Sequence, residues 1–307
     1  VKQSRSTYLE VRGLRYHVRE WGEPGAPKIV FLHGWMDLSA SFQFAVDELE
    51  HEWHAIAPDW RGFGLSEWAR GAYFFPDYIA DLDAILVHFS PEAPVNLVGH
   101  SMGGNVANLY AGIRPERVAR LVLAEGFGLP PTVPDQAPAR YTKWLNEWRD
   151  PPTLRPYASF DEVAARLRQN NPRLTEERAR WLAHEWAEQK APGQVVLRAD
   201  PLHKMANPVL YRHEEAMACW KRITAPTLWM LSGGNWLQQF IKDASALDAY
   251  RAVYRDRSEC RIDDAGHMMH HDQPRAFARA IEKFLLQGKS ETPRLEDTRK
   301  SQDKERT

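Results

Sequence analysis

The chain has 307 residues, 43% of them hydrophobic and 26% charged, and a net charge of −1. Those values suit a soluble globular protein with a sizeable core, and they build in no general attraction to nucleic acid or an anionic membrane. No apolar run approaches the ~18 residues that a spanning helix needs.

The polar start, Val1 to Thr7, lacks the apolar centre of a secretory signal. Cys219 and Cys260 are too few for a disulfide framework and fit no metal spacing. The expected compartment is the cytoplasm.

Tyr8–Val11 and Leu14–Glu20 alternate around Gly13 and predict a hairpin. Residues 28–33 form a nearly continuous apolar run, the signature of a buried parallel strand, which stops at His33-Gly34-Trp35. A helix is expected over Ser41–Glu50, a strand over His54–Pro58, then a glycine-punctuated loop from Asp59 to Ser66. Pro76–Phe89 has helical periodicity through Tyr78, Ile79, Leu82, Ile85 and Leu86.

The stretch that organises the chain follows. Val95–Val98 is apolar, and Gly99-His100-Ser101-Met102-Gly103 places one serine between two glycines. Val106, Ala107, Leu109 and Tyr110 then share a helical face. A sharp strand-to-helix turn leaves no room for Cβ atoms beside the serine, hence the glycines. The hydroxyl is then held at the positive end of a helix. A further strand, Val118–Ala124, ends in Glu125-Gly126.

From Leu129 to about Lys221 the rhythm breaks, with no convincing buried strand. Helices are expected over Arg140–Arg149, Phe160–Gln169, Thr175–Gln189 and Arg212–Trp220. The sheet resumes at residues 226–231 and ends at Glu259–Ile262; Pro274–Leu286 closes the fold as an amphipathic helix. The pattern predicts a parallel sheet covered on both faces. Its core takes residues 1–128 and 222–288, with a helical cap inserted over 129–221 and a disordered tail over 289–307.

A serine hydroxyl needs a base. His267 is the choice among twelve histidines, because its loop follows the last strand and sits on the sheet edge where ligands collect. His270 and His271 are expected at the rim, and a metal site from His267, His270, His271 and Asp272 matches no strong motif.

The acid that orients the base is the harder assignment. The loop Ser232-Gly233-Gly234-Asn235-Trp236 contains none, Asp243 lies too far on, and Asp263 and Asp264 would have to fold back. Glu125 closes an apolar strand adjacent to the serine strand, where a carboxylate is costly to bury without a partner. It is taken as the third member, with a turn-capping role as the alternative. The oxyanion donors are expected to be the backbone N–H groups of Met102 and Trp35. Trp35, Phe127, Trp144 and Trp148 are candidates to line an apolar pocket. Arg166, Arg168 and Arg173 read as a solvated helix face.

Together, residues 33–37 (His-Gly-Trp-Met-Asp), Asp59-x-Arg61-Gly62-x-Gly64-x-Ser66, residues 99–104 and Gly266-His267 resemble the α/β-hydrolase superfamily over about residues 8–288. The cap stretches 155–159 and 171–175 are similar to its serine hydrolase-like branch. The resemblance implies an eight-stranded, mostly parallel sheet with helices on both faces, an inserted α-helical cap and no cofactor. It also implies an acid after the sixth strand, the place of Glu125. Ser101 argues against dehalogenation and epoxide opening, which use a carboxylate nucleophile.

The activity expected is hydrolysis of an ester, thioester or lactone of a small, largely apolar molecule through an acyl-enzyme on Ser101, by a monomer or homodimer. Carbon–carbon cleavage of a diketone with the same triad and a binding protein with little turnover are the alternatives.

Overall fold

The computed structural model describes residues 1–233 and 244–287. The tail expected to be disordered, 289–307, lies outside them, as do Asn235 and Asp243.

The chain opens with β1 (Ser4–Val11) and β2 (Leu14–Trp21), joined across Arg12 and Gly13. Both turn residues have positive φ, 50° and 78°, as a two-residue hairpin turn matching the strand twist requires. Then come β3 (Lys28–Leu32), α1 (Gln43–Asp47), β4 (His54–Pro58) and α2 (Phe75–Phe89). Next are β5 (Val95–His100), α3 (Met102–Ile113) and β6 (Val118–Ala124).

An inserted segment carries α4 (Ala137–Arg149), α5 (Phe160–Asn170), α6 (Glu176–Trp186), β7 (Ala187–Ala191), β8 (Gln194–Leu197) and α7 (His213–Trp220). The core finishes with β9 (Thr227–Ser232), α8 (Ala244–Arg251), β10 (Arg257–Ile262), α9 (Met269–Asp272) and α10 (Pro274–Leu285).

Eight strands form one sheet in the order β1-β2-β4-β3-β5-β6-β9-β10. Only the pairings β1–β2 and β2–β4 are antiparallel. The remaining five are parallel, so the carboxyl ends of β3, β5, β6, β9 and β10 share one edge.

Alternation along the central strands assigns the two faces. Leu97 and Leu121 join Leu82, Ile85, Val106, Tyr110 and Trp220 on one side. Val98 and Val122 join Phe42, Val46, Phe277, Ile281 and Leu285 on the other. Residues with no polar face to spare suit strands buried on both sides.

Three local expectations are corrected. The helix expected over Ser41–Glu50 is a 3-10 turn, Ser39–Phe42, running into the short α1. The helix expected to reach Gln189 stops at Trp186, because Pro192 cannot continue a helix and Gly193, at φ 71°, supplies the turn of the β7–β8 hairpin instead. Finally, α7 packs on α3 so closely that a Cβ on Gly112 would lie 2.0 Å from the Cys219 carbonyl oxygen. The division at residue 221 thus groups with the cap one helix that belongs against the sheet.

The rest of the inserted segment has a small core of its own, in which Val163, Leu167, Leu174, Ala179, Leu182 and Val195 are buried. Its α5 and α6 are capped by Ser159 Oγ, which accepts from Glu162 N at 3.2 Å, and Thr175 Oγ1, which accepts from Arg178 N at 3.3 Å. No α4 residue is buried. Among the described residues no helix is long and apolar enough to cross a membrane.

Candidate active site

Ser101 sits between β5 and α3 with φ 51° and ψ −116°, a strained conformation for a residue with a side chain. Its amide donates to Ala124 O at 2.9 Å, tying the turn to the neighbouring strand. The glycines around it are sterically required. A Cβ on Gly103 would lie 2.1 Å from Leu32 O, and one on Gly99 would lie 2.5 Å from Gly104 Cα. Gly34 brings the loop after β3 close as well, since its Cβ position is 3.2 Å from Ser101 Cβ.

Met102 N–H, at the start of α3, and Trp35 N–H donate no hydrogen bond among the described residues. Both therefore suit the role of oxyanion donor. The Trp35 loop is shaped by His33, whose Nδ1–H donates to Gly34 O at 2.8 Å while Nε2 accepts from Trp60 N at 2.9 Å. That pattern needs the neutral ring, and burial holds the His33 pKa below its usual value.

His267 lies in the loop between β10 and α9 and is 31% exposed. Glu125, one residue past β6, is 1% exposed and has φ 51°. Its Oε2 accepts from His267 Nδ1 at 2.8 Å and its Oε1 accepts from Ser232 N at 2.9 Å. The alternative of a turn-capping glutamate covers only the second contact. With Nδ1–H committed to Glu125, the lone pair of His267 lies on Nε2. Ser101, His267 and Trp35 line one cavity of about 540 Å³, a size suited to a small molecule.

Asp263 and Asp264, set aside from sequence because they would have to fold back, are exposed. Several other expected positions differ. Phe127 does not line the cavity; it is buried in the core against Trp229, with ring centroids 4.3 Å apart. Trp144 and Trp148 also lie off the cavity, because α4 packs them edge-on against each other at 6.2 Å. The apolar lining comes instead from the inserted segment's core, including Leu167, Leu174, Leu182 and Trp186. Arg166 is exposed, as expected of a solvated helix face, and also lines the cavity.

His270 is not at the rim. It is fully buried behind the loop, its ring 4.6 Å from that of His100 and its Nε2 3.6 Å from Asp37 Oδ2. Burial pushes the Asp37 carboxyl up, but the facing His270, helped by His271 and His33, outweighs this and holds it well below the usual carboxylate range. Asp37, His270 and His271 are the group found among the described residues with ligand atoms within 4.8 Å of one another. Asp37 Oδ2 and His270 Nε2 face each other at 3.6 Å, and the set His267, His270, His271 and Asp272 is not assembled among the described residues.

Two residues that position the His267 loop escaped sequence reasoning. His100 Nε2–H donates to the His267 carbonyl at 2.7 Å. Asp272 accepts from Gly266 N at 2.8 Å and from Asn171 Nδ2 in the inserted segment at 2.7 Å. Neither partnership has a local pattern, since 167 residues separate one pair and 101 the other.

The motif Asp59–Ser66 has a structural explanation. Asp59 accepts from Ser39 N, Leu65 N and His17 Nδ1 at 2.7, 2.9 and 2.7 Å. Arg61 forks onto the buried Asp81 with bonds of 2.5 and 2.6 Å.

A family model described as alpha/beta hydrolase fold matches residues 27–274. The chain belongs to that family. Among relatives of this α/β hydrolase is a serine hydrolase-like protein of Danio rerio, 26% identical over 280 residues, covering 86% of this chain and 83% of the relative. Another, from Dictyostelium discoideum, is 25% identical over 296 residues, with 90% and 80% covered. Of solved structures, the thioesterase domain from the curacin biosynthetic pathway superposes with a TM-score of 0.80 at 24% identity, over 91% of this chain and 99% of that one. That likeness is one of fold. The hydrolase thus resembles the serine hydrolase-like branch of its superfamily.

Proposed function

We infer that this hydrolase cleaves a carboxylic ester, or a related thioester or lactone, through an acyl-enzyme on Ser101. The observation that carries the reading is the 2.8 Å bond from His267 Nδ1 to the buried Glu125 carboxylate, at a cavity that Ser101 also lines.

In this mechanism His267 Nε2 takes the hydroxyl proton as Ser101 Oγ attacks the carbonyl carbon. The negative charge on the former carbonyl oxygen is held by the N–H groups of Trp35 and Met102. Collapse expels the leaving group, which receives the proton from His267. Water, deprotonated by the same ring, then attacks the acyl-serine and releases the acid. Glu125 holds the productive tautomer and stabilises the transient imidazolium.

The serine hydrolase-like relatives support acyl transfer as the reaction class. A fluorophosphonate probe tests it. The wild type should label at Ser101 and hydrolyse 4-nitrophenyl esters, and Ser101→Ala should do neither. A wild-type chain that stays unlabelled and inert to esters would count for the binding-protein alternative instead.

A further inference from the structure

The cavity at Ser101 has a charged wall that neither the fold nor the triad requires. Arg155, Arg166 and Lys204 line it, and they come from three places: the stretch before α5, α5 itself, and the 3-10 turn Pro201–Lys204. Arg166 shares one helical face with Val163, Leu167 and Asn170, at the i+3, i+4 and i+7 spacing from Val163 that turns toward the cavity. Arg168, two residues on, does not line it.

None of the three cations has a carboxylate partner among the described residues. Arg166 contacts only Gln169 Oε1, at 2.6 Å, and Lys204 only Thr153 O, at 3.5 Å. The one carboxylate in the lining is Asp37, whose Oδ1 accepts from Leu38 N at 2.9 Å and whose Oδ2 faces His270 at 3.6 Å. Its side chain is only 2% exposed, and Oδ1 also accepts from Ser41 Oγ. Elsewhere on the inserted segment Arg180 and Lys143 pair with Glu176 and Glu147, at 2.6 and 3.7 Å.

Three uncompensated positive groups around one cavity, in a chain of net charge −1, make a local field rather than a general one. They repel each other when the cavity holds only solvent, and an anion between them removes that repulsion and adds attraction.

Resting on the acyl-transfer reading of Ser101, we propose that the substrate carries an oxyanion, a carboxylate or phosphate, beneath the cap, held by Arg155, Arg166 and Lys204. This narrows the largely apolar substrate expected from sequence to an amphiphilic one. Its hydrocarbon part packs on Leu167, Leu174 and Leu182, and its charged end meets the cations.

Two matched pairs of thioesters locate the charge. Hexanoyl and adipoyl N-acetylcysteamine differ by a carboxylate on the acyl side; hexanoyl pantetheine and hexanoyl 4′-phosphopantetheine differ by a phosphate on the leaving group. In one pair the anionic member should have a kcat/KM at least about tenfold higher, mainly through KM, with the advantage shrinking as salt is added. The triple variant Arg155→Gln, Arg166→Gln, Lys204→Gln should bring that ratio near one; all three side chains are exposed, and a thermal melt checks that the variant is folded.

Ratios within about twofold in both pairs, or a preference that survives the triple substitution, would overturn the proposal. Calorimetry on Ser101→Ala with the same four compounds reads affinity without turnover. Tighter anion binding there, with no hydrolysis by the wild type, would keep the anion site and remove the hydrolytic reading. Equal affinities alongside rapid wild-type hydrolysis would do the reverse.

Discussion

Glu125 reaches His267 from the strand beside the nucleophile strand, and the two ends of its carboxylate do different jobs. Oε2 meets the imidazole Nδ1 at 2.8 Å, and Oε1 meets the amide of Ser232 at 2.9 Å. Glu125→Gln can keep an oxygen on Ser232 but loses the charge facing the ring. Its turnover of a 4-nitrophenyl ester should fall by about 10³–10⁴, with little change in thermal midpoint. Unchanged turnover would remove Glu125 from the triad.

The turn at Ser101 tolerates no added atom where it meets β3. Gly103→Ala places a Cβ 2.1 Å from Leu32 O and 2.7 Å from His33 O, both main-chain atoms that cannot swing aside. Urea denaturation should show a loss of about 1–3 kcal/mol or more, together with slower phosphonate labelling. Gly25→Ala, with nothing within 4 Å of its Cβ, is the control and should stay within about 0.5 kcal/mol of wild type.

Two buried histidines make the fold sensitive to mild acid. Burial pushes the pKa of both His203 and His271 down to about 3, and in His271 repulsion from His270 adds to it. An unfolded histidine titrates near ~6.5. Between those values the unfolded chain takes up protons that the folded chain refuses. The stabilisation is therefore complete above ~6.5 and is lost as pH falls toward ~3, by up to ~1.4 kcal/mol per pH unit for each ring. Urea midpoints at about pH 8, 6 and 5 should decline in that order, and His203→Gln should flatten the decline. A midpoint that rises on acidification would contradict the assignment.

The pair Arg61–Asp81 is a stability element rather than part of the chemistry. Asp81 is fully buried and also accepts from Tyr16 Oη and Arg12. Asp81→Asn leaves a guanidinium that is 8% exposed with only the longer 3.6 Å contact to Asp77, and should cost about 3 kcal/mol in urea titration. A cost under about 1 kcal/mol would show that the pair is solvent-screened.

What could be read in advance was whatever depends on near neighbours in the chain. The apolar runs of β3 and β5, the periodicity of α2 and α10, and the glycines flanking Ser101 all speak through spacing alone. Glu125 was legible for a related reason: a carboxylate that ends an apolar run must find a partner or pay heavily in desolvation.

The first residues of β7, Ala187–Gln189, fall within the helix expected from sequence, because they carry no strong preference and their pairing with β8 overrides the helical run before them. Asp37 and His270 are separated by 233 positions in sequence and meet only after the sheet has assembled. Which wall a side chain faces is likewise a matter of how the inserted segment docks. That docking keeps Trp144 and Trp148 off the cavity and brings Arg166 to its lining, while core packing against Trp229 takes Phe127 away.

The amino-acid order by itself pointed to the α/β architecture, the strand-to-helix turn at Ser101 and a partner for the buried Glu125 carboxylate, since each rests on local periodicity or on the cost of burying a charge. Only the tertiary structure decided what surrounds the reacting atoms, because a pocket is made where segments far apart in the chain come together, and no local pattern encodes that contact.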